Sequence, residues 1–223
     1  QLHKAGWIVT NQLVFTSAAS RRGHTAKLRK VLNDIGIISY YSFTVKGYME
    51  NNHLFSPNAR LVQEGMEEKI IGLLPDKFSP ALRQLPLNVE NIVDNISQLR
   101  TDADIPFLAS DRNVLNLPGV GKSLTFRTIG ITNDGRRILE FDHDATREHS
   151  PIIKKMGKVI IIESKSIHDY LQQIDDMGED VIEYESIYGY SLSETESRNQ
   201  IFEYPPYDYD VTKKITNLDH HLT

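Results

Sequence analysis

Strand-like and helix-like hydrophobic patterns alternate along the first third of the chain. Trp7 to Phe15 is rich in β-formers and long enough for a buried strand. Leu28, Val31, Leu32 and Ile35 recur at i, i+3, i+4 and i+7, which predicts an amphipathic helix closed by Gly36. Ser39 to Val45 predicts a second strand. A helix is expected from Pro57, with Val62, Met66, Ile70 and Leu73 on one face. Strand, helix, strand, helix without tight hairpins is the pattern of parallel βα units. Residues 75–105, broken by Pro75, Pro80 and Pro86, read as an insertion holding one short helix marked by Val89, Ile92, Val93 and Ile96. Ile105 to Leu115 is extended again and runs into the loop Asn116-Leu-Pro-Gly-Val-Gly-Lys122.

The pattern changes after that loop. Leu124 to Thr132 and Arg137 to Asp142 are strand-like and joined by Asn133-Asp134-Gly135, a hairpin signal. Lys158 to Ile162 is a further strand. Ser166 with Asp169 resembles a capping box that opens a helix with Ile167, Tyr170, Leu171 and Ile174 inside and Gly178 closing it. From Glu183 the chain is acidic and tyrosine-rich, and reads as an irregular tail. The expected architecture is α/β: residues 1–123 as one unit and 124–223 as a smaller α+β extension with an antiparallel hairpin.

Composition narrows the function classes. The 223 residues carry 25 Lys and Arg against 30 Asp and Glu, a net charge of −5, which argues against nucleic-acid binding through a basic surface. No apolar run approaches the ~18 residues of a membrane span, so no membrane partner is expected. The absence of cysteine excludes disulfides, thiolate nucleophiles and Cys-ligated metal clusters within these residues. The first residue, Gln rather than Met, hints at a fragment.

The Gly-Lys loop is the most chemical-looking stretch. Read as a P-loop it lacks the first glycine, because Asn116 stands there, and the residues after Ser123 are β-formers where a P-loop opens a helix. Read as a lysine on a flexible glycine loop, its apolar neighbours Leu117, Val120 and Leu124 disfavour the charged amine and favour a nucleophile toward carbonyls, pyridoxal phosphate included. A solvent-exposed Lys in a Gly-Pro turn is the plain alternative.

Four segments in order resemble the C-terminal half of the lysine 2,3-aminomutase family. They are Val9-Thr-Asn-Gln-Leu-Val-Phe15, Tyr40-Tyr-Ser-Phe-Thr-Val-Lys46, Phe55-Ser-Pro-Asn-Ala-Arg60 and the Asn116 to Lys122 loop, which is one residue shorter than the family's Asp-Ala-Pro-Gly-rich-Lys segment. The resemblance covers roughly residues 1 to 130. It implies the C-terminal part of a partial (β/α) barrel in a cytoplasmic radical S-adenosylmethionine enzyme. Such enzymes use pyridoxal phosphate and a [4Fe-4S] cluster to move an amino group of a small amino acid from Cα to Cβ, usually as homo-oligomers. By resemblance, Lys122 holds the pyridoxal phosphate, and Gln12 contacts S-adenosylmethionine or the pyridoxal cofactor. Lys46 and Asn116 fall where lysine-acting members place two aspartates around the substrate's distal ammonium. A cation and an amide donor suit a distal carboxylate instead, so the resemblance points to the glutamate 2,3-aminomutase variant.

The cluster's C-x3-C-x2-C motif is absent, so this segment alone is expected to be inactive, as part of a longer enzyme. The rival expectation is a non-catalytic ligand-binding or interaction module derived from the barrel. Asp142-His143-Asp144 with His149 reads either as a metal site or as a solvated charged loop, with the loop favoured. Arg21-Arg22 reads as a phosphate contact or, more plainly, as two exposed arginines. The Glu183 to Tyr209 stretch offers a surface for a partner subunit.

Overall fold

Thr10–Phe15 (β1), Ile38–Thr44 (β2) and Arg112–Asn113 (β3) form a parallel sheet in the order β1-β2-β3. The computed structural model describes residues 1–44, 49–113, 115–117, 121–123, 125–142 and 158–190. His24–Asp34 (α1) connects β1 to β2, and Asn58–Gln63 (α2), Ser79–Gln84 (α3) and Ile92–Ala103 (α4) lie between β2 and β3. Parallel neighbours need such crossovers. Residues 75–105 therefore supply part of the second one. Ile92, Ile96 and Leu99 of α4 join Leu85 and Leu108 in a buried cluster, with Ile38 of β2 against it.

Two helices face differently from their apolar patterns. In α1 the buried positions are Thr25, Arg29 and Asn33, spaced i, i+4, i+8, while Val31 and Ile35 are 51% and 54% exposed. A polar face can be buried when every group on it is paired. Asn33 accepts from the Leu108 amide at 2.7 Å and donates to the Ile37 carbonyl at 3.3 Å. Arg29 meets two buried carboxylates. After α2 the chain passes through a π turn, Glu64–Glu68, and then a 3-10 turn, Lys69–Gly72. The change of winding breaks the 3.6-residue phase. Val62 stays buried, but Met66, Ile70 and Leu73 turn outward, and Glu64, Glu68 and Lys69 turn in.

The loop after β3 also differs from a simple turn. Leu115–Leu117 (β4) and Gly121–Ser123 (β5) pair antiparallel. Thr125–Ile131 (β6), Arg136–Asp142 (β7) and Val159–Ser166 (β8) then build an antiparallel sheet in the order β6-β7-β8. Gly135, at φ +84°, supplies the left-handed residue of the β6–β7 turn. The two sheets share one core: Leu13 and Phe15 of β1 pack with Leu61 and Val62 and with Leu139 and Phe141 of β7. Buried apolar contact thus runs across the 123/124 division.

Ile167–Asp176 (α5) starts on a full capping box. The Ser166 Oγ accepts from the Asp169 amide at 3.0 Å, and the Asp169 carboxylate accepts from the Ser166 amide at 3.1 Å. Replacing Ser166 by Ala is expected to cost about 1 kcal/mol, seen as a lower midpoint in urea unfolding with an unchanged slope. Beyond α5 a 3-10 segment, Val181–Tyr188, buries Tyr184 and Ile187 against Phe55, Ala59, Tyr170 and Ile174. The first part of the tyrosine-rich stretch is therefore packed against its own chain rather than an irregular tail. Residues 191–209 of the expected partner surface lie outside the described residues. Among the described residues no helix is long and apolar enough to cross a membrane.

Candidate functional site

Parallel strands end together, so β2 and β3 finish at one edge of the sheet. Active sites of α/β sheets and barrels are built at that carboxyl edge. The β4–β5 hairpin begins two residues beyond β3 and lies against β2. Within it Asn116 and Lys122 are direct cross-strand partners. The fold therefore brings together two of the residues singled out in the sequence, with Cα atoms about 5 Å apart as in any antiparallel pair. A strand, β6, follows the hairpin, so the helix that a P-loop must open is absent there. Lys46 lies outside the described residues, as do His143, Asp144 and His149.

Gln12 belongs to a row across the sheet, opposite Tyr41 of β2, which is in turn opposite Arg112 of β3. Gln12 is exposed, on the side of β1 away from Leu13 and Phe15. Next to it the Tyr40 and Tyr41 rings meet edge to face at 4.0 Å between centroids, and their hydroxyls are 3.2 Å apart. One face of the sheet is thus occupied by α1 and α2, and the other carries Gln12 and the Tyr41 ring.

The helix-covered face holds a buried group of charges that the apolar pattern of the sequence does not reveal. Arg29 grips Asp111 with a fork, Nε to Oδ1 and Nη2 to Oδ2, both 2.9 Å. Its Nη1 donates to Glu64, which also accepts from Thr25 at 3.0 Å. Lys69 Nζ donates to the Asp111 carbonyl, to the Asp111 carboxylate at 3.2 Å and to Asn113 Oδ1 at 3.1 Å. Ser42 of β2 also donates to Asp111. Two cations and two carboxylates balance. Burial opposes the charge of Asp111, but Lys69 and Arg29 outweigh it and hold this carboxyl well below the usual range. Burial also opposes the charge of Arg29, yet Glu64 and Asp111 raise its pKa further. For Lys69 burial dominates, and its amine is pushed down. The sequence signal for this group is the polar i, i+4, i+8 stripe of Thr25, Arg29 and Asn33, which stands beside a stronger apolar one.

Arg21 and Arg22 border an open groove of about 640 Å³ at the start of α1. Both are paired: Arg21 with Glu179 at 3.1 Å, Arg22 with Glu67 at 2.5 Å. Both arginines are therefore held by carboxylates and partly covered, rather than standing freely exposed. Tyr184 accepts from the Arg22 amide at 2.7 Å, and burial pushes its phenol up to about 12.

Over 187 residues, 82% of its length, the chain is 30% identical to an uncharacterized KamA family protein of Methanocaldococcus jannaschii. The chain is similar to a KamA family protein. That match supports the lysine 2,3-aminomutase resemblance at the level of the family and leaves the glutamate variant aside. The chain spans about a quarter of the length of this relative, 24%. No family model matches the chain, and no solved structure matches it.

The residues present fit one of the cofactors of the KamA-like reading and not another. Lysine is the residue type to which pyridoxal phosphate attaches, and Lys122 stands in the hairpin that follows β3, opposite Asn116. A [4Fe-4S] cluster has no ligands here. Cysteine is absent from the sequence, and among the described residues no group of three or more His, Asp or Glu is placed to hold a metal ion.

Proposed function

We propose that this chain is the substrate-selecting, C-terminal part of a radical S-adenosylmethionine amino acid 2,3-aminomutase, acting on glutamate. The observation that carries the reading is the register of the hairpin, which sets Asn116 directly opposite Lys122 at the carboxyl edge of a parallel sheet. The KamA relative supports the family. The partial barrel, the homo-oligomer and the longer enzyme around this segment are parts of the same proposal. Pyridoxal phosphate, when bound, supplies an electron-accepting carbonyl chemistry for the substrate's amine. Lys122 contributes the amine that tethers it. Asn116 donates a hydrogen bond, and Lys46 a positive charge, to a distal carboxylate. A lysine substrate would bring its ammonium against Lys46 in a water-poor site, which costs several kcal/mol. Gln12, on the face of the sheet away from Leu13 and Phe15, contacts S-adenosylmethionine or the pyridoxal cofactor in this proposal. The iron–sulfur cluster and its ligands belong to the remainder of the enzyme.

The test is an amino acid comparison in the full-length protein under reducing, anaerobic conditions. Glutamate is expected to yield its β-amino isomer, and lysine little or none. Lys46→Asp is expected to raise the KM for glutamate by roughly 30-fold or more. Unchanged glutamate kinetics in that variant would remove the specificity argument. Turnover of lysine alone by the unaltered protein would replace glutamate by lysine as substrate.

A further inference from the structure

The strand that leads into the hairpin is itself short. β3 has two residues, Arg112 and Asn113, paired with Tyr41 and Ser42 of β2. So brief a ladder gives little resistance to fraying or a register slip. Side chains hold this stretch instead. Asp111 is gripped by Arg29 and Ser42. Lys69 spans the strand entry, donating to the carbonyl of Asp111 and to the side chain of Asn113. Asn113 Nδ2 donates in turn to the Leu61 carbonyl of α2 at 3.3 Å. Gly65 in the π turn leaves room for that approach, because a Cβ there would stand 2.6 Å from Asn113 Nδ2 and force the amide to shift. Leu115, the first residue of the hairpin, comes two positions later.

We propose that Lys69, acting through Asp111 and Asn113, is the positioning residue that fixes the hairpin carrying Asn116 and Lys122. This rests on the reading of Lys122 given above and adds a device on the helix-covered face of the sheet. Its three acceptors all belong to the segment 111–113, so the ammonium works as a pin between the π-turn region and the strand. Gly65 belongs to the same device, since it makes room for the amide that completes it.

The experiment measures pyridoxal phosphate binding in the full-length protein, by titration and by borohydride trapping with peptide mapping. Three variants are compared with the unaltered protein: Lys69→Met, Gly65→Ala and Ile96→Ala. Ile96 lies in the apolar cluster of α4 and serves as a control that lowers stability without touching the strand entry. Lys69→Met and Gly65→Ala are each expected to weaken pyridoxal phosphate binding at Lys122 about tenfold or more, as a misplaced reactive group does. Amide exchange over 115–123 is expected to quicken in both, and Ile96→Ala is expected to leave the dissociation constant as it was. Gly65→Ala retains all four charges, so it carries the test if Lys69→Met does not fold. Equal binding in Gly65→Ala and the unaltered protein would overturn the inference, as would equal weakening in Ile96→Ala. If the unaltered protein traps nothing at Lys122, the reading of that residue fails first, and the inference with it.

Discussion

Lys122→Ala in the full-length protein is expected to abolish borohydride-trapped pyridoxal phosphate on the peptide containing residue 122. Turnover should fall by roughly a thousandfold or more, the scale on which enzymes lose rate when a covalently acting group is removed. The amine at this position has two tasks in the proposed function. It tethers the cofactor before substrate arrives, and it must return to release the product. Neither task can pass to Asn116, its partner across the hairpin, because an amide nitrogen is not nucleophilic. Trapping and peptide mapping read the first task directly, whatever the state of the iron–sulfur cluster. Label found undiminished on another lysine would sink the assignment.

The second large effect is on stability. Arg29→Met is expected to cost about 3–5 kcal/mol, because it leaves Glu64 and Asp111 buried with one cation, Lys69, between them. For a unit of this size that lowers the melting temperature by roughly 10 °C. Scanning calorimetry checks it. A melting temperature within a degree or two of the unaltered protein would mean that water reaches the carboxylates. The same group sets an acid response. Asp111 has a depressed pKa in the folded state, so the stability it contributes is complete above its unfolded value, about 4. It is lost as pH falls from there through the folded value. Asp111→Asn should therefore flatten the acid limb of the stability curve below about pH 4. Lys69 acts at the other end: its depressed pKa makes stability rise with pH between its folded value and about 10.4, where the unfolded chain still holds the proton.

Much of the local structure was legible in the residues. The β1 and β2 strands, the hairpin at Gly135 and the capping box at Ser166 lie where short-range rules put them. These features depend on neighbours within a few positions: alternation of side chains, a residue tolerant of positive φ, a hydroxyl three residues before a carboxylate. The Gly-Lys loop stands out in the residues, but its shape does not. Pairing of Leu115–Leu117 with Gly121–Ser123 is what sets Asn116 opposite Lys122, and a loop sequence with Pro118 and two glycines reads more readily as an open turn.

The helix faces mark the division most clearly. For α1 the local pattern predicts a helix from about Leu28 to Ile35, with an apolar stripe beside a polar one. Contacts from distant segments chose between the two. The polar stripe could be buried because Glu64, Asp111 and the Leu108 amide come from distant segments to pair with Arg29 and Asn33. Beyond α2 the apolar spacing predicts one helical stretch through Leu73, but the π turn at Glu64–Glu68 changes its phase. Met66 and Ile70 went outward, and Lys69 went inward to the strand entry. Hydrophobic periodicity reports which face prefers to leave water. It contains no information on whether charges on the opposite face will find partners from elsewhere in the chain, and that pairing determined which faces of these helices are buried.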